Sequence, residues 1–329
     1  MKVLEFGRYA LCSCVVPAFL AGCGASPRSD VFLAGSAADY HVGKSGVAAD
    51  IKESQRLAFV SNNTDVYILS LPDLKFKARL SGFGDPEGMC VDSSGNVWVA
   101  NANAQTMILL SHDGTYLRTL DDHGATPVSC AIDPTTGNLA VLNVGNYGRV
   151  TGPPGEILIF PAASGTPTEQ TIPNFYRYGF GGYDDKGNLF AVGKSYGGTP
   201  ILGVIPKGSN TGSDIAITNG KINDPGFVQW YAPKNVLAVD DQECNGGSCL
   251  YQLSISGSAA KIVKSTTFLY GKYKEPKCDF VQGEIATYAN HYFVAGCSGV
   301  DRWPYPAGGA PINRNGYFIS TYAVVISAK

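Results

Sequence analysis

A strand-turn-strand phrase recurs along almost the whole of this 329-residue chain, and no other feature limits its fold as tightly. It reads Asp85-Pro86-Glu87-Gly88-Met89-Cys90-Val91-Asp92, a turn Ser93-Ser94-Gly95-Asn96, then Val97-Trp98-Val99-Ala100-Asn101. It returns as Pro127 to Asp133 with the turn Pro134 to Asn138 and Leu139 to Asn143, and again as Gly181 to Val192 around Gly187-Asn188. A fourth copy opens on Asp224-Pro225 and runs through Asn235 to Val239. Degenerate copies at Arg56 to Val60 and at Cys278 to Ala295 bring the total to six. The anchors Asn96, Asn138, Asn188 and Asn235 lie 42, 50 and 47 residues apart. Repeats of that length with strand character are blades of a β-propeller, each unable to bury its apolar faces alone. Composition agrees, since 40 Gly and 19 Pro supply turns and 18 Tyr against three Met suit half-buried strands.

Third strands match as well: Ile157-Leu158-Ile159-Phe160-Pro161-Ala162 is echoed by Trp303-Pro304-Tyr305-Pro306-Ala307. The turn His112 to Thr115 separates a third strand, Thr106 to Leu110, from a fourth, Tyr116 to Leu120. The expected fold is therefore all-β, a six-bladed propeller of four-stranded antiparallel blades over 45–329. These phrases resemble NHL-type repeats and the wider six-bladed superfamily that includes gluconolactonase and strictosidine-synthase-like proteins. That resemblance implies a fold far more firmly than an activity.

Closure of the ring has two readings. The run Tyr317 to Ile326 follows a complete third-strand phrase with nothing after it, so it is assigned to the first blade, where it removes a free edge. Alternatively, Gly46 to Ile51 supplies that blade's inner strand; both hold if one of them pairs outside the four-strand core.

At the other end of the chain, Leu20-Ala21-Gly22-Cys23 closes a short apolar run behind Lys2 and Arg8. The run is about a dozen residues, too short for the ~20 that span a bilayer, and it reads as the core of a signal. The stretch resembles the lipobox of bacterial lipoprotein precursors. That resemblance implies a signal peptide over 1–22, lipid on Cys23 as the mature N-terminus, and a location outside the cytoplasm. Gly24 after the cysteine implies the outer membrane in a Gram-negative cell. Residues 23–44, small and polar, read as a tether.

With 25 Lys and Arg against 27 Asp and Glu, the net charge is −2, and loss of Lys2, Glu5 and Arg8 with the signal leaves −3. The cations are scattered, which argues against nucleic acid and against electrostatic adhesion to anionic lipid. The membrane is expected as a partner only through the lipid.

Six cysteines remain beyond the signal and Cys23. In an oxidising compartment they read as disulfides, since no CxxC pair or Cys/His cluster occurs among them. Cys90 lies two positions before Asp92 and Cys130 three before Asp133, so the two point to opposite faces of equivalent strands. Opposite faces either meet across the blade interface or point away from each other; the compartment favours a Cys90–Cys130 bond. Cys244 and Cys249 flank a Gly-rich hairpin loop that a bond readily closes, and Cys278 and Cys297 form the remaining pair.

Candidate chemistry is sparse. Glu87-Gly88 resembles the Glu-Gly that supplies a metal-binding carboxylate in the gluconolactonase family. The repeat-equivalent positions are Val128, Gly179 and Gly226, which offer no side-chain oxygen, and calcium wants six to eight. Asn101, Asn143 and Asp240 end second strands and, with Glu87, are the candidates for a polar mouth, although Asn and Asp are also ordinary residues for leaving a strand. Tyr176-Arg177-Tyr178-Gly179-Phe180 and Gln229-Trp230-Tyr231 place aromatics where they either floor a sugar- or peptide-binding mouth or wedge blades apart. His41, His112, His123 and His291 stand in tether, turn or loop contexts without metal-site spacing. Gly43-Lys44-Ser45 mimics a phosphate loop, but Ala38 stands where its first Gly is needed. The sequence thus points to a non-enzymatic binding or scaffolding module for a protein, peptide or glycan, with no metal or other cofactor. The alternative is a calcium-dependent lactonase or phosphotriesterase-like hydrolase with Glu87 near the central channel.

Overall fold

The recurring Asp, Gly and Asn make each first hairpin by local hydrogen bonding. Asp92 Oδ1 accepts from the N–H groups of Ser94 (2.8 Å) and Asn96 (2.9 Å), and Asn96 Nδ2 donates to Asp92 Oδ2 at 2.9 Å. Asp184 repeats the pattern with Lys186 and Asn188, and Asp133 does so with Thr135 and Thr136. Such self-contained turns fix where a strand reverses before any distant contact forms.

The computed structural model describes residues 42–46, 51–145, 154–244, 247–269, 283–286, 291–296, 299–315 and 321–329. Strands β1 (Gly43–Gly46), β2 (Leu57–Asn62), β3 (Val66–Ser70) and β4 (Lys75–Ser81) come first. Blade two holds β5 (Pro86–Val91), β6 (Val97–Asn101), β7 (Thr106–Leu110) and β8 (Tyr116–Asp121). Blade three holds β9 (Pro127–Ile132), β10 (Leu139–Asn143), β11 (Ile157–Phe160) and β12 (Thr168–Gln170). Blade four holds β13 (Phe175–Tyr183), β14 (Leu189–Ser195), β15 (Pro200–Ile205) and β16 (Ser213–Ile217). Blade five holds β17 (Pro225–Tyr231), β18 (Val236–Cys244), β19 (Gly247–Ser256) and β20 (Ala259–Phe268). Blade six holds β21 (Gly283–Ala286), β22 (His291–Gly296), β23 (Gly299–Pro304) and β24 (Asn313–Asn315), and β25 (Thr321–Ser327) ends the chain.

Each blade is an antiparallel meander, and blades four and five are further joined by a short parallel pairing of β16 with β20. The inner strands form a circuit in which β25, β5, β9, β13, β17 and β21 each lie beside the next, and β21 returns to β25. Second strands such as β6 and β10 are buried on both faces, which explains their unbroken apolar runs. Val97 and Val99 of β6 pack with Phe59 and Ile68 of blade one. Trp98 and Ala100, pointing the other way, pack with Val141 and Phe160 of blade three.

The first blade has five strands in the order β1-β4-β3-β2-β25. Its inner strand is β25, with Leu57 opposite Ser327 and Phe59 opposite Val325. The N-terminal reading for that inner strand is thereby corrected: β1 pairs with the outer strand β4, so the first blade gains a fifth, peripheral strand instead. Gly43 and Lys44, expected in the tether, belong to this strand. The C-terminal end of β25 docks on blade two. Ser327 Oγ donates to the carbonyl of Gly95 and meets His112 Nδ1, and Lys329 Nζ lies 3.1 Å from Glu53 Oε1. Gly95 has φ +77°, and a Cβ there would come within 2.9 Å of the Ala328 carbonyl, so glycine serves both the turn and this close approach.

Cys90 and Cys130 are bonded, joining β5 to β9 across the interface of blades two and three. The two opposite faces are therefore the ones that meet. Cys244 and Cys249 close the β18–β19 hairpin. In the loop-entropy picture the first bond, spanning 40 residues, stabilises by about 4 kcal/mol and the second, spanning five, by about 2 kcal/mol. Cys23, Cys278 and Cys297 lie outside the described residues.

Candidate functional site

At one end of the ring the second strands run out and the chain crosses to the next inner strand; this is the exit end. The four candidate mouth residues are at or near it, but all are buried: Glu87 is 8%, Asn101 0%, Asn143 1% and Asp240 1% exposed.

Their burial follows from what they bind. Asn101 Oδ1 accepts the Gly84 N–H at 2.6 Å and its Nδ2 donates to Thr106 Oγ1 at 3.1 Å, pinning the loop that crosses over β6. The Asn143 amide likewise hydrogen-bonds the buried Asp122 carboxylate. In register, Pro86 faces Asn101, Pro127 faces Asn143 and Pro225 faces Asp241. The matching cap in blade five is thus Asp241, which accepts N–H bonds from Asn223, Asp224 and Glu243 at 3.0 to 3.1 Å. Asp240 neither caps nor ends its strand, because β18 continues to Cys244. It points to the opposite face, two residues on from Ala238, which packs with Trp303 and Tyr305 of blade six.

Asp240 accepts a hydrogen bond from Ser248 Oγ at 3.1 Å, and burial pushes its carboxyl up to about 8. Burial also raises Asp301 to about 7, and raises Asp122, where the charge of Glu156 adds to the effect. Carboxyls raised in the folded state stabilise it fully below their unfolded values near 4 and lose that contribution as pH climbs through the folded values. Stability should therefore decline from about pH 4 to pH 8. Asp240→Asn keeps the Ser248 contact without a charge to desolvate. It should leave the denaturation midpoint almost unchanged at pH 4 and stabilise at pH 8.5 by several kcal/mol, on the order of four pH units of linkage, read by urea denaturation at both pH values.

Glu87 follows Pro86 on β5, and its carbonyl accepts Ser61 Oγ at 2.6 Å. Its ring equivalents Val128, Gly179 and Gly226 are buried as well. Among the described residues no three or more His, Cys, Asp or Glu side chains are grouped to hold a metal ion. His112 is buried against Ser327, and burial lowers its pKa; His41 lies outside the described residues.

The aromatic runs divide. Tyr178 is a wedge whose hydroxyl accepts the Ile172 N–H at 2.6 Å, and Phe180 is buried against blade five. Trp230 stacks on Phe190 at 6.3 Å, and Tyr231 meets Tyr305 edge to face at 5.6 Å. Tyr176 and Arg177, at the start of β13, instead lie at the exit end, Tyr176 buried and Arg177 half-buried beneath an exposed hairpin. The Arg177 guanidinium stands 5.8 Å from the Tyr176 ring, and Tyr176 lies 5.0 Å from Tyr196, which is 62% exposed on the β14–β15 hairpin. Arg177 sits directly across from Lys194, whose Nζ is 3.7 Å from Asp224 of blade five. Sequence reasoning singled out Tyr176 and Arg177 but missed Lys194 and Tyr196; their signal was Lys194-Ser195-Tyr196-Gly197-Gly198, a cation and an aromatic where a second strand turns into a tight hairpin.

No family model matches the sequence, and no curated protein sequence matches it. Solved structures do. A chain in the crystal structure of a nidogen/laminin complex superposes with a TM-score of 0.63 at 10% identity, covering 83% of this chain and 98% of that one. A Bacteroides caccae protein of unknown function gives 0.58 at 12% identity, covering 84% and 100%. Kuenenia stuttgartiensis hydrazine synthase gives 0.54 at 13% identity, covering 74% and 72%. Likeness at such low identity is likeness of fold, and with the closed circuit of four-stranded sheets it makes this chain a β-propeller.

Proposed function

We propose that the chain is an extracytoplasmic binding module, held on a membrane by lipid at Cys23 and presenting the exit end of its propeller to a ligand. In a Gram-negative cell the membrane is the outer one. The observation that carries the reading is the exposed Tyr196 on a tight hairpin at the exit end, packed on the buried Tyr176 ring close to Arg177 and Lys194. Exposed tyrosine beside arginine is the chemistry of recognition surfaces, because both give large contact area with directional polar atoms. Precedent is consistent with it: one structural neighbour comes from a nidogen/laminin complex.

The competing hydrolase needs a divalent ion held by several converging oxygens, with Glu87 among them. Calorimetric calcium titration and lactone and phosphotriester turnover assays on wild type and Glu87→Ala separate the two. The binding module gives no saturable calcium heat and no turnover in either protein. Tight calcium binding and turnover that both vanish in Glu87→Ala would replace this reading with the enzyme.

A further inference from the structure

The outer hairpin turn of blade two, Ser111 to Thr115, is fixed in place. The Ser111 N–H donates to the Thr115 carbonyl and the Gly114 N–H to the Ser111 carbonyl, both at 2.8 Å. A Cβ on Gly114 would come within 2.5 Å of Ile68 Cδ1, so the turn is pressed against blade one. It holds His112, 2% exposed, against the C-terminal end of β25. Ser327, 0% exposed, has a single hydroxyl proton and donates it to the Gly95 carbonyl, so toward His112 Nδ1 it can only accept. That fixes the tautomer. The neutral ring carries its proton on Nδ1, in a relay from His112 to Ser327 to Gly95 that ties the last strand to the β5–β6 turn. A serine on an imidazole is also the nucleophile and base of many hydrolases, but this serine is fully buried and its proton goes to Gly95, so no substrate reaches it.

The other ring nitrogen, Nε2, is buried with no hydrogen-bond partner, although the Gln55 carbonyl faces the ring. The charges around the imidazole are Lys329 just past β25, Asp113 in its own turn and Glu53 ahead of β2. Both carboxylates have other partners: Glu53 pairs with Lys329 at 3.1 Å, and Asp113 is bonded to Ser111, Thr115 and Lys44. A proton on Nε2 would place an imidazolium in a site closed to water and facing a cation. Burial is the larger effect and holds the ring's pKa below its ordinary value, with Lys329 adding to it and the Gln55 carbonyl, Asp113 and Glu53 opposing it.

We infer that His112 is a pH-sensitive latch on the closure of the ring: its neutral imidazole fastens the C-terminal end of β25 to blade two, and a proton taken up on Nε2 loosens it. A histidine whose pKa is lowered on folding adds stability that is complete above its unfolded value near 6.5 and is lost as pH falls below that value toward the folded one. The body of the ring responds in the opposite direction, because the raised carboxyls of Asp240, Asp301 and Asp122 stabilise it as pH falls. Acid therefore loosens the end of one strand while the rest tightens.

Hydrogen exchange followed by mass spectrometry tests this on the full chain in detergent at pH 5 and pH 7.5, with rates corrected for the intrinsic pH dependence of exchange. In wild type, peptides covering Val325 to Lys329 should lose protection by about threefold or more at pH 5, while β10 in blade three keeps or gains it. His112→Asn keeps a donor near the Nδ1 position and has no proton to gain, so its C-terminal peptide should be equally protected at both pH values. Lys329→Gln removes the facing cation at an exposed site, and its fall should be smaller than that of wild type. The ratio between the two pH values is read within each protein, which cancels any uniform loosening by the substitution itself. Wild-type protection equal at both pH values, or a fall in His112→Asn as large as in wild type, would overturn the inference. So would a loss of the same size in β10, which marks global acid unfolding. Should His112→Asn not fold, Lys329→Gln decides: a fall as large as in wild type counts against the latch.

Discussion

A chain ending at Asn315 is expected to lose most of its folding free energy. The truncation removes β25, whose Ala323, Val324, Val325 and Ile326 are all buried. Burying one Val or Ile side chain is worth about 1.5–3 kcal/mol, so the three branched residues together account for about 5–9 kcal/mol. Whole domains are stable by only about 5–15 kcal/mol. The loss does not stop with the deleted side chains. Without β25 the ladder of β2 is left open, and Phe59 and Val60 lose the strand opposite them. The docking of Ser327 on Gly95 and His112 of blade two disappears as well, and with it a tie between first and second blades. Calorimetry should show either no cooperative transition or a midpoint lower by at least about 10 °C. An unchanged melting temperature would contradict closure by the C-terminal strand.

The architecture was legible because its determinants are local. Asp92, Asn96, Asp184 and Asn188 bond within five residues, so the turn reads the same in one dimension as in three. The unpartnered C-terminal run was legible for a different reason: a ring of identical units shows by its arithmetic which strand is spare. Parity along a strand restricted Cys90 and Cys130 to opposite faces without saying which way the faces turned; the packing of β5 beside β9 decided it.

The site was less legible because it depends on register between strands. Choosing Asp240 over Asp241 is a slip of one residue, which moves a side chain to the other face of a sheet. The slip arises because β18 runs on to Cys244, with no strand end to mark the capping position. Arg177 and Lys194 meet through a ladder interrupted by register shifts at Phe175/Arg177 and Tyr178/Gly181, which no count along the chain reveals. The strand Gly43–Gly46 has no β-forming composition, and pairing with the outer edge of β4 makes it one.

Release of the Cys23→Ala variant from the membrane is the second large expected effect. Electrostatic adhesion is disfavoured because the chain is net acidic and its cations are scattered, and among the described residues no helix is long and apolar enough to cross a bilayer. Acyl chains contribute about 0.8 kcal/mol per buried methylene, so attachment through them is strong and its loss nearly complete. If Cys23 carries the lipid, the segment between it and Gly43 is the tether on which the propeller would face a partner. Mass spectrometry of the wild-type N-terminal peptide, taken with membrane fractionation of both proteins, tests the account most directly. It predicts a mature chain beginning at acylated Cys23 and pelleting with membranes, and a Cys23→Ala protein that is folded and soluble. An unmodified Cys23 in the wild type, with the variant still on the membrane, would contradict it.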